Sequence, residues 1–274
     1  MALLDIIGDT NVRIFLVPLM ASFLAVGLIR MIFDTWSSSA LATISIGIGF
    51  YVAYQSITFF PLWPPAGTLG ILPFVVIGGI LIGVFLDLIN AKDELKNMSL
   101  LAVSVLMVLW VVREWGAGSI STNGMGLYGA LIFGGYWALQ RLEAMRDEKL
   151  AAPISILSAA IMLAIIAGLY GTSTGLYAVA LASATMGFIL WNWPKVKHVW
   201  GATGTITAGG IYLVILSDLA FQNPAMALSV GSSLFCFGVY GVSSRLFPVP
   251  GPFAPVIQLA LSVFPIMLGV YLMP

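Results

Sequence analysis

An all-α integral membrane protein that crosses the bilayer about ten times is the fold class this sequence predicts. Charged residues make up only 8% of a chain that is 60% hydrophobic, against about 25% charged in a soluble domain. So few charges cannot cover a surface facing water. Apolar runs close to the ~20 residues needed to span a bilayer recur from one end of the chain to the other, with no hydrophilic stretch long enough for a soluble domain. The basic residues gather in alternate connections between these runs, as the positive-inside rule requires.

Charges, prolines and Gly/Ser clusters delimit ten spans. The first, 12–32, follows the acidic N-terminal segment "MALLDIIGDTNVRIF", which lacks the positive start of a secretory signal, and closes on Arg30. The second, 39–60, lies between "SSS" and the proline-rich "FFPLWPPAGTLG" (59–70), whose aromatics suit a headgroup zone and whose prolines suit a turn. The third, 68–89, ends at Asn90 and Lys92; the fourth, 98–118, runs into "GAGSISTNGMG". The fifth, 123–141, precedes the most polar stretch, "RLEAMRDEKL" (141–150). The sixth, 151–169, and the seventh, 173–192, are separated by "GTSTG". The eighth to tenth lie at 201–220, 225–246 and 253–272.

The odd-numbered connections hold Arg30, Lys92, Lys96, Arg141, Arg146, Lys149, Lys195, Lys197 and Arg245, and the other side only Arg13 and Arg113. That asymmetry predicts both termini outside, periplasmic if this is a bacterial inner-membrane protein. Internal echoes point to a five-plus-five arrangement. Trp63-Pro64 recurs as Trp193-Pro194, Gly78-Gly79-Ile80 as Gly209-Gly210-Ile211, Asp87-Leu88 as Asp218-Leu219, and Arg113 as Arg245, at offsets of about 130. Residues 1–140 and 151–274 then form two five-helix units joined by a cytoplasmic linker at 141–150. An odd helix number makes the second unit cross in the opposite sense, the inverted-topology repeat of secondary transporters.

The candidate substrate or ion-path residues are Asp218, Asp87, Arg113, Asn123, Thr203 and Thr207. Asp218 ends the eighth span beside a connection without a base; it reads first as a solvated helix end with Gln222 and Asn223 beside it, and alternatively as a proton or cation site facing a cavity, where a buried carboxylate needs a partner or a proton. Asp87 ends the third span at the other face, next to Asn90 and Lys92, which would neutralise it. Arg113, next to Glu114 at a helix end, reads first as an interfacial residue; because it breaks the charge pattern it is also a candidate anion or headgroup contact. Asn123 offers an amide in a glycine-rich stretch. Thr203 and Thr207 share a helix face, as do Ser229 and Ser233, and back-bonding to their own helix is the ordinary use of such hydroxyls. Gly79 with Gly83, and Ser183 with Gly187, are small-residue steps that let helices approach. "GTSTG" matches a nucleophile-elbow pattern but lies between apolar helices, and reads as a hinge or cavity lining. Cys236 reads as a packing residue. One cysteine and one histidine, His198, point to no metal and no cofactor. The stretch "SLFCFGVYGVSSRLF" (233–247) resembles the penultimate helix of the membrane lysoplasmalogenase family, with Val239 where that family has an acid, so the resemblance implies no activity here.

These features predict a secondary transporter or facilitator for a small neutral or lipophilic solute. An alternative is a non-catalytic subunit of a larger membrane complex, with a helix-packing or lipid-binding role. A third is an intramembrane lipid-modifying enzyme, which needs acids that meet, whereas Asp87 and Asp218 are expected on opposite faces. The expected partners are the lipid bilayer and, in the second reading, other membrane subunits; a net charge of zero gives no reason to expect nucleic acid.

Overall fold

The computed structural model describes residues 10–32, 40–58, 63–116, 122–148, 150–194, 197–247 and 253–273. Every regular element among them is helical: α1 (Thr10–Ile32), α2 (Ile44–Ile57), a 3-10 turn Leu69–Ile71 leading into α3 (Leu72–Leu88), α4 (Asp93–Gly116), α5 (Thr122–Ala144), α6 (Ala151–Leu169), α7 (Thr174–Asn192) and α8 (Ala202–Gln222). Then come α9 (Ala227–Gly231) between 3-10 segments Pro224–Met226 and Ser232–Phe237, α10 (Val239–Leu246), α11 (Ala254–Leu261) and α12 (Val263–Tyr271). Among the described residues, seven stretches are long and apolar enough to cross a bilayer, and an eighth is reached if Pro224–Phe237 and Val239–Leu246, bent by 46°, form one span. The chain is a multi-pass helical membrane protein.

Three of the ten expected spans depart from a single long apolar helix. The run at 39–60 yields the 14-residue α2. Residues 40 and 41 are helical and turns at 42 and 43 interrupt the run before α2 begins; at this break the Thr43 hydroxyl bonds the Ala40 carbonyl at 2.7 Å. The run at 123–141 is a full 23-residue helix, but Arg141 and Glu143 in its last turn dilute its apolar character. The ninth run is broken. Six residues of 3-10 helix, Ser232–Phe237, exceed the usual three or four, and Gly238 follows before α10.

Helix ends are set by local chemistry. Asp93 and Glu94 in the first turn of α4, and Arg113 in its last, complement the helix dipole. Asn90, at φ 46°, takes the left-handed turn that ends α3, and the Ala91 N–H reaches back to the Leu86 carbonyl at 3.0 Å. Gly171, at φ 68°, ends α6 the same way, with the Thr172 N–H on the Ala167 carbonyl at 2.9 Å. "GTSTG" is therefore a helix-terminating turn.

The centre of the bundle is α8, buried at every residue from Ala202 to Ala220 and packed against α2 through α7. Its main partner is α3, which runs antiparallel to it: Gly83 lies at Thr203, Gly79 at Thr207 and Gly210 at Val75. A Cβ on Gly83 would sit 2.3 Å from the Thr203 Cα, and one on Gly79 2.9 Å from the Thr207 Cα. The GxxxG step is thus a close backbone approach. Elsewhere α1, α2 and α7 pack on one another, α6 packs on α7, and α4 and α5 flank α8. The contacts of α1 and α6 differ: α1 packs extensively on α7, whereas α6 makes no comparable contact with α2.

Candidate functional site

The two aspartates of the sequence echo stand at opposite ends of the α3–α8 pair, and each reaches the beginning of the other helix. Asp87, at the end of α3, accepts the Ala202 N–H at 2.9 Å, the Thr203 N–H at 3.0 Å and the Thr203 hydroxyl at 2.8 Å. Its carboxylate caps the first turn of α8, where unsatisfied N–H groups and the positive end of the dipole favour an anion. Gly201 makes this possible, since a Cβ there would lie 2.5 Å from an Asp87 oxygen. Arg146 adds an ion pair at 3.4 Å. The expectation that Asn90 or Lys92 neutralises Asp87 is corrected: the partners come from α8 and from the linker after α5, both more than fifty residues away in sequence.

Around Asp87 the polar network continues. Arg146 also pairs with Glu143 at 3.4 Å, and Glu143 with Lys96 at 3.1 Å. The Thr205 hydroxyl bonds Glu143 at 3.2 Å and accepts the Trp200 indole N–H at 2.9 Å. This end of the bundle ties α3, α4, α5 and α8 together through alternating charges.

The opposite end has a different chemistry. Asp218 is fully buried, which overturns the expectation of a solvated helix end. One carboxylate oxygen accepts the Thr68 hydroxyl at 2.5 Å and the Trp115 indole N–H at 3.2 Å. The other accepts the Thr174 hydroxyl at 2.8 Å and the Gln222 amide at 2.7 Å, and the same amide also donates to Thr174 at 2.8 Å. All four donors are neutral, and no ion pair with Asp218 occurs among the described residues. Thr68 leads into α3, Trp115 ends α4, Thr174 begins α7 and Gln222 ends α8, so one carboxylate joins four helix ends. Beside it on α7, the Tyr177 hydroxyl bonds Thr58, and its ring lies 5.7 Å from that of Tyr54 on α2.

The other candidates separate. Arg113 is exposed at the end of α4, with its guanidinium 5.4 Å from the centre of the Trp110 ring. Asn123 lies in the first turn of α5, and its side chain falls outside the described residues. Thr203 serves Asp87, while the buried Thr207 hydroxyl has no protein partner and lies at Gly79. Back-bonding is not how the paired hydroxyls are used: Ser229 donates to the Gly269 carbonyl at 2.5 Å and Ser233 bonds the Tyr212 hydroxyl at 2.6 Å. Cys236 is buried and free, among packing residues. Sequence reasoning missed Thr68, Trp115, Tyr177 and Arg146. Thr174 was visible only as part of "GTSTG", and Gln222 only as a neighbour of Asp218.

No protein-family model matches this chain, and no curated protein matches it significantly.

Proposed function

We propose that this chain is a secondary transporter or facilitator for a small neutral or lipophilic solute, with the α3–α8 pair as its moving centre. The observation that carries the reading is the reciprocal arrangement of Asp87 and Asp218, each closing one end of the same antiparallel pair onto the other helix. Two-fold exchange of roles between echoed residues is what an inverted-topology repeat produces. The differing surroundings of α1 and α6 confine that symmetry to the central helices. The bent segment Pro224–Leu246 adds a second transporter-like feature, a helix broken inside the apolar region.

In this reading the Asp218 ring is the outer gate and the Asp87 network the inner one, the basic residues placing the Asp87 end in the cytoplasm and both termini outside. Ten crossings follow if α2, α5 and the broken segment each traverse the bilayer. Asp218 is the protonatable group: a proton on it removes acceptor capacity that four donors share, and the outer ends of α3, α4, α7 and α8 loosen. The Asp87 network, held by charge, then persists while the outer gate opens. The low number of buried charges suits a neutral solute.

The test uses α8 itself. Ala220 and Ala202 are buried at its two ends. Each is replaced singly by cysteine in a Cys236→Ala background, and labelling by a membrane-impermeant maleimide is followed in right-side-out and inside-out vesicles. For an alternating carrier, adding Asp218→Ala speeds labelling of Ala220→Cys from outside and slows labelling of Ala202→Cys from inside, because one gate opens as the other closes. If the Ala202→Cys rate does not change, the ends are uncoupled and the carrier reading fails. A static subunit of a larger complex would behave that way, and would co-purify with other membrane chains.

A further inference from the structure

A pocket of about 460 Å³ opens on the flank of the bundle where α1 and α7 end, lined by Gly27, Arg30, Met31 and Trp191. It belongs to neither aspartate network. Trp191 stands edge-on to Phe23, with ring centroids 4.8 Å apart. Gly27 leaves room for it, since a Cβ there would already touch the indole at 3.3 Å. Lys197 brings its ammonium to 5.8 Å from the centre of the same ring.

The loop that carries Lys197 is built, not draped. The fully buried Asn192 side chain accepts the backbone N–H of Lys197 at 3.0 Å and that of His198 at 2.9 Å, and donates to the Phe188 carbonyl at 3.2 Å. His198 is 5% exposed and neither ring nitrogen has a partner; the Trp191 indole N–H is also buried without one. The acids paired at this end, Asp87 and Glu143, are held by Lys96 and Arg146. Arg30 and Lys197 pair with no carboxylate among the described residues. Arg30 in the pocket wall and Lys197 over the pocket's indole are thus two exposed cations close to buried polar atoms without partners.

We propose that this pocket binds the phosphate of an anionic glycerophospholipid in the leaflet that faces the basic end of the bundle. Arg30 meets the phosphate with a bidentate fork and Lys197 with a point charge, while Trp191 sits at the headgroup level. Basic pockets between membrane helices on the positive side are built for such groups. A lipid fits better than a free anion because the site opens sideways past Met31, which is 83% exposed. The same end of α7 also turns Leu190 and Trp193 into an apolar groove of about 720 Å³ along α6 and α11, where acyl chains can lie. This inference is independent of whether the chain transports anything.

The experiment is thermal unfolding of the purified protein in neutral detergent with added phosphatidylglycerol, phosphatidylcholine or inorganic phosphate. Phosphatidylglycerol should raise Tm by several degrees more than phosphatidylcholine, as a ligand of the folded state must, and inorganic phosphate should do nothing. Arg30→Gln with Lys197→Gln should lose most of that increment. Lys92→Gln with Arg141→Gln, the same charge change at the same end, should keep it, and Arg30→Lys with Lys197→Arg should retain part of it. An undiminished response in the Arg30/Lys197 glutamine variant, an equal response to phosphatidylcholine, or a full response to phosphate alone would each overturn the proposal.

Discussion

Asp218 and Asp87 solve the same problem by different means. A buried carboxylate must be neutralised or saturated with donors. Asp87 has a guanidinium and a helix N-terminus, and Asp218 has four neutral donors from four helix ends. Asp218→Ala strands those donors and should cost about 3 kcal/mol, read as a lowered Tm in detergent. Asp218→Asn keeps one acceptor and should cost less. An asparagine variant as unstable as the alanine one would show that the four donors need both carboxylate oxygens. His198 makes a pH prediction. Burial holds its imidazole below the usual value of 6.5, and the Arg30 and Lys197 charges push the same way. A depressed base means that the unfolded chain takes up its proton first, so the folded state loses stability as pH falls through about 6.5. His198→Asn should flatten that part of the Tm–pH curve; an unchanged slope would assign the acid sensitivity elsewhere.

Neighbouring glycines on α3 are predicted to behave in opposite ways. A methyl on Gly83 meets the Thr203 backbone at 2.3 Å, whereas one on Gly78 meets nothing within 4 Å. Gly83→Ala must separate α3 from α8, and should cost about 3 kcal/mol by overpacking. Gly78→Ala should be neutral or stabilising by about 0.5 kcal/mol, from the helix propensity of alanine. Thermal unfolding of the two variants side by side checks the antiparallel register of the pair. The register also explains why Gly201 precedes α8. Its missing side chain lets the Asp87 carboxylate reach the first turn, and Gly201→Ala should lower Tm while Gly171→Ala, strained only by its φ of 68°, should cost about 1 kcal/mol.

For the whole molecule, the basic residues predict which end faces the cytoplasm. Asp147, after α5, and Ala225, after α8, are exposed at opposite ends of the bundle. In intact cells and a Cys236→Ala background, Ala225→Cys should react with an impermeant maleimide, and Asp147→Cys only after permeabilisation. The reverse result would invert the orientation and place the Asp218 ring inside. Both positions reacting from one side would break the alternation of crossings on which the carrier proposal depends.

The membrane class, most helix positions and the small-residue packing steps could be read from the sequence, because they depend on composition and on period within one segment. α6 begins and ends where charges and the glycine turn indicate, and the Gly79–Gly83 step packs as small residues should. The breaks in the ninth segment and the short α2 were less legible: hydroxyl–carbonyl bonds such as Thr43 to Ala40 and Ser232 to Ser229 stand at them, but Ser155 and Thr185 make the same kind of bond inside unbroken helices, so the residue types alone do not mark a break. The aspartates could be singled out as residues, but their partners could not. Thr68 and Asp218 are 150 positions apart, and only the antiparallel packing of α3 on α8 brings them together. Composition and periodicity act along the chain and are written in it; a carboxylate's donors are chosen by which helices meet, and that was decided by the tertiary fold alone.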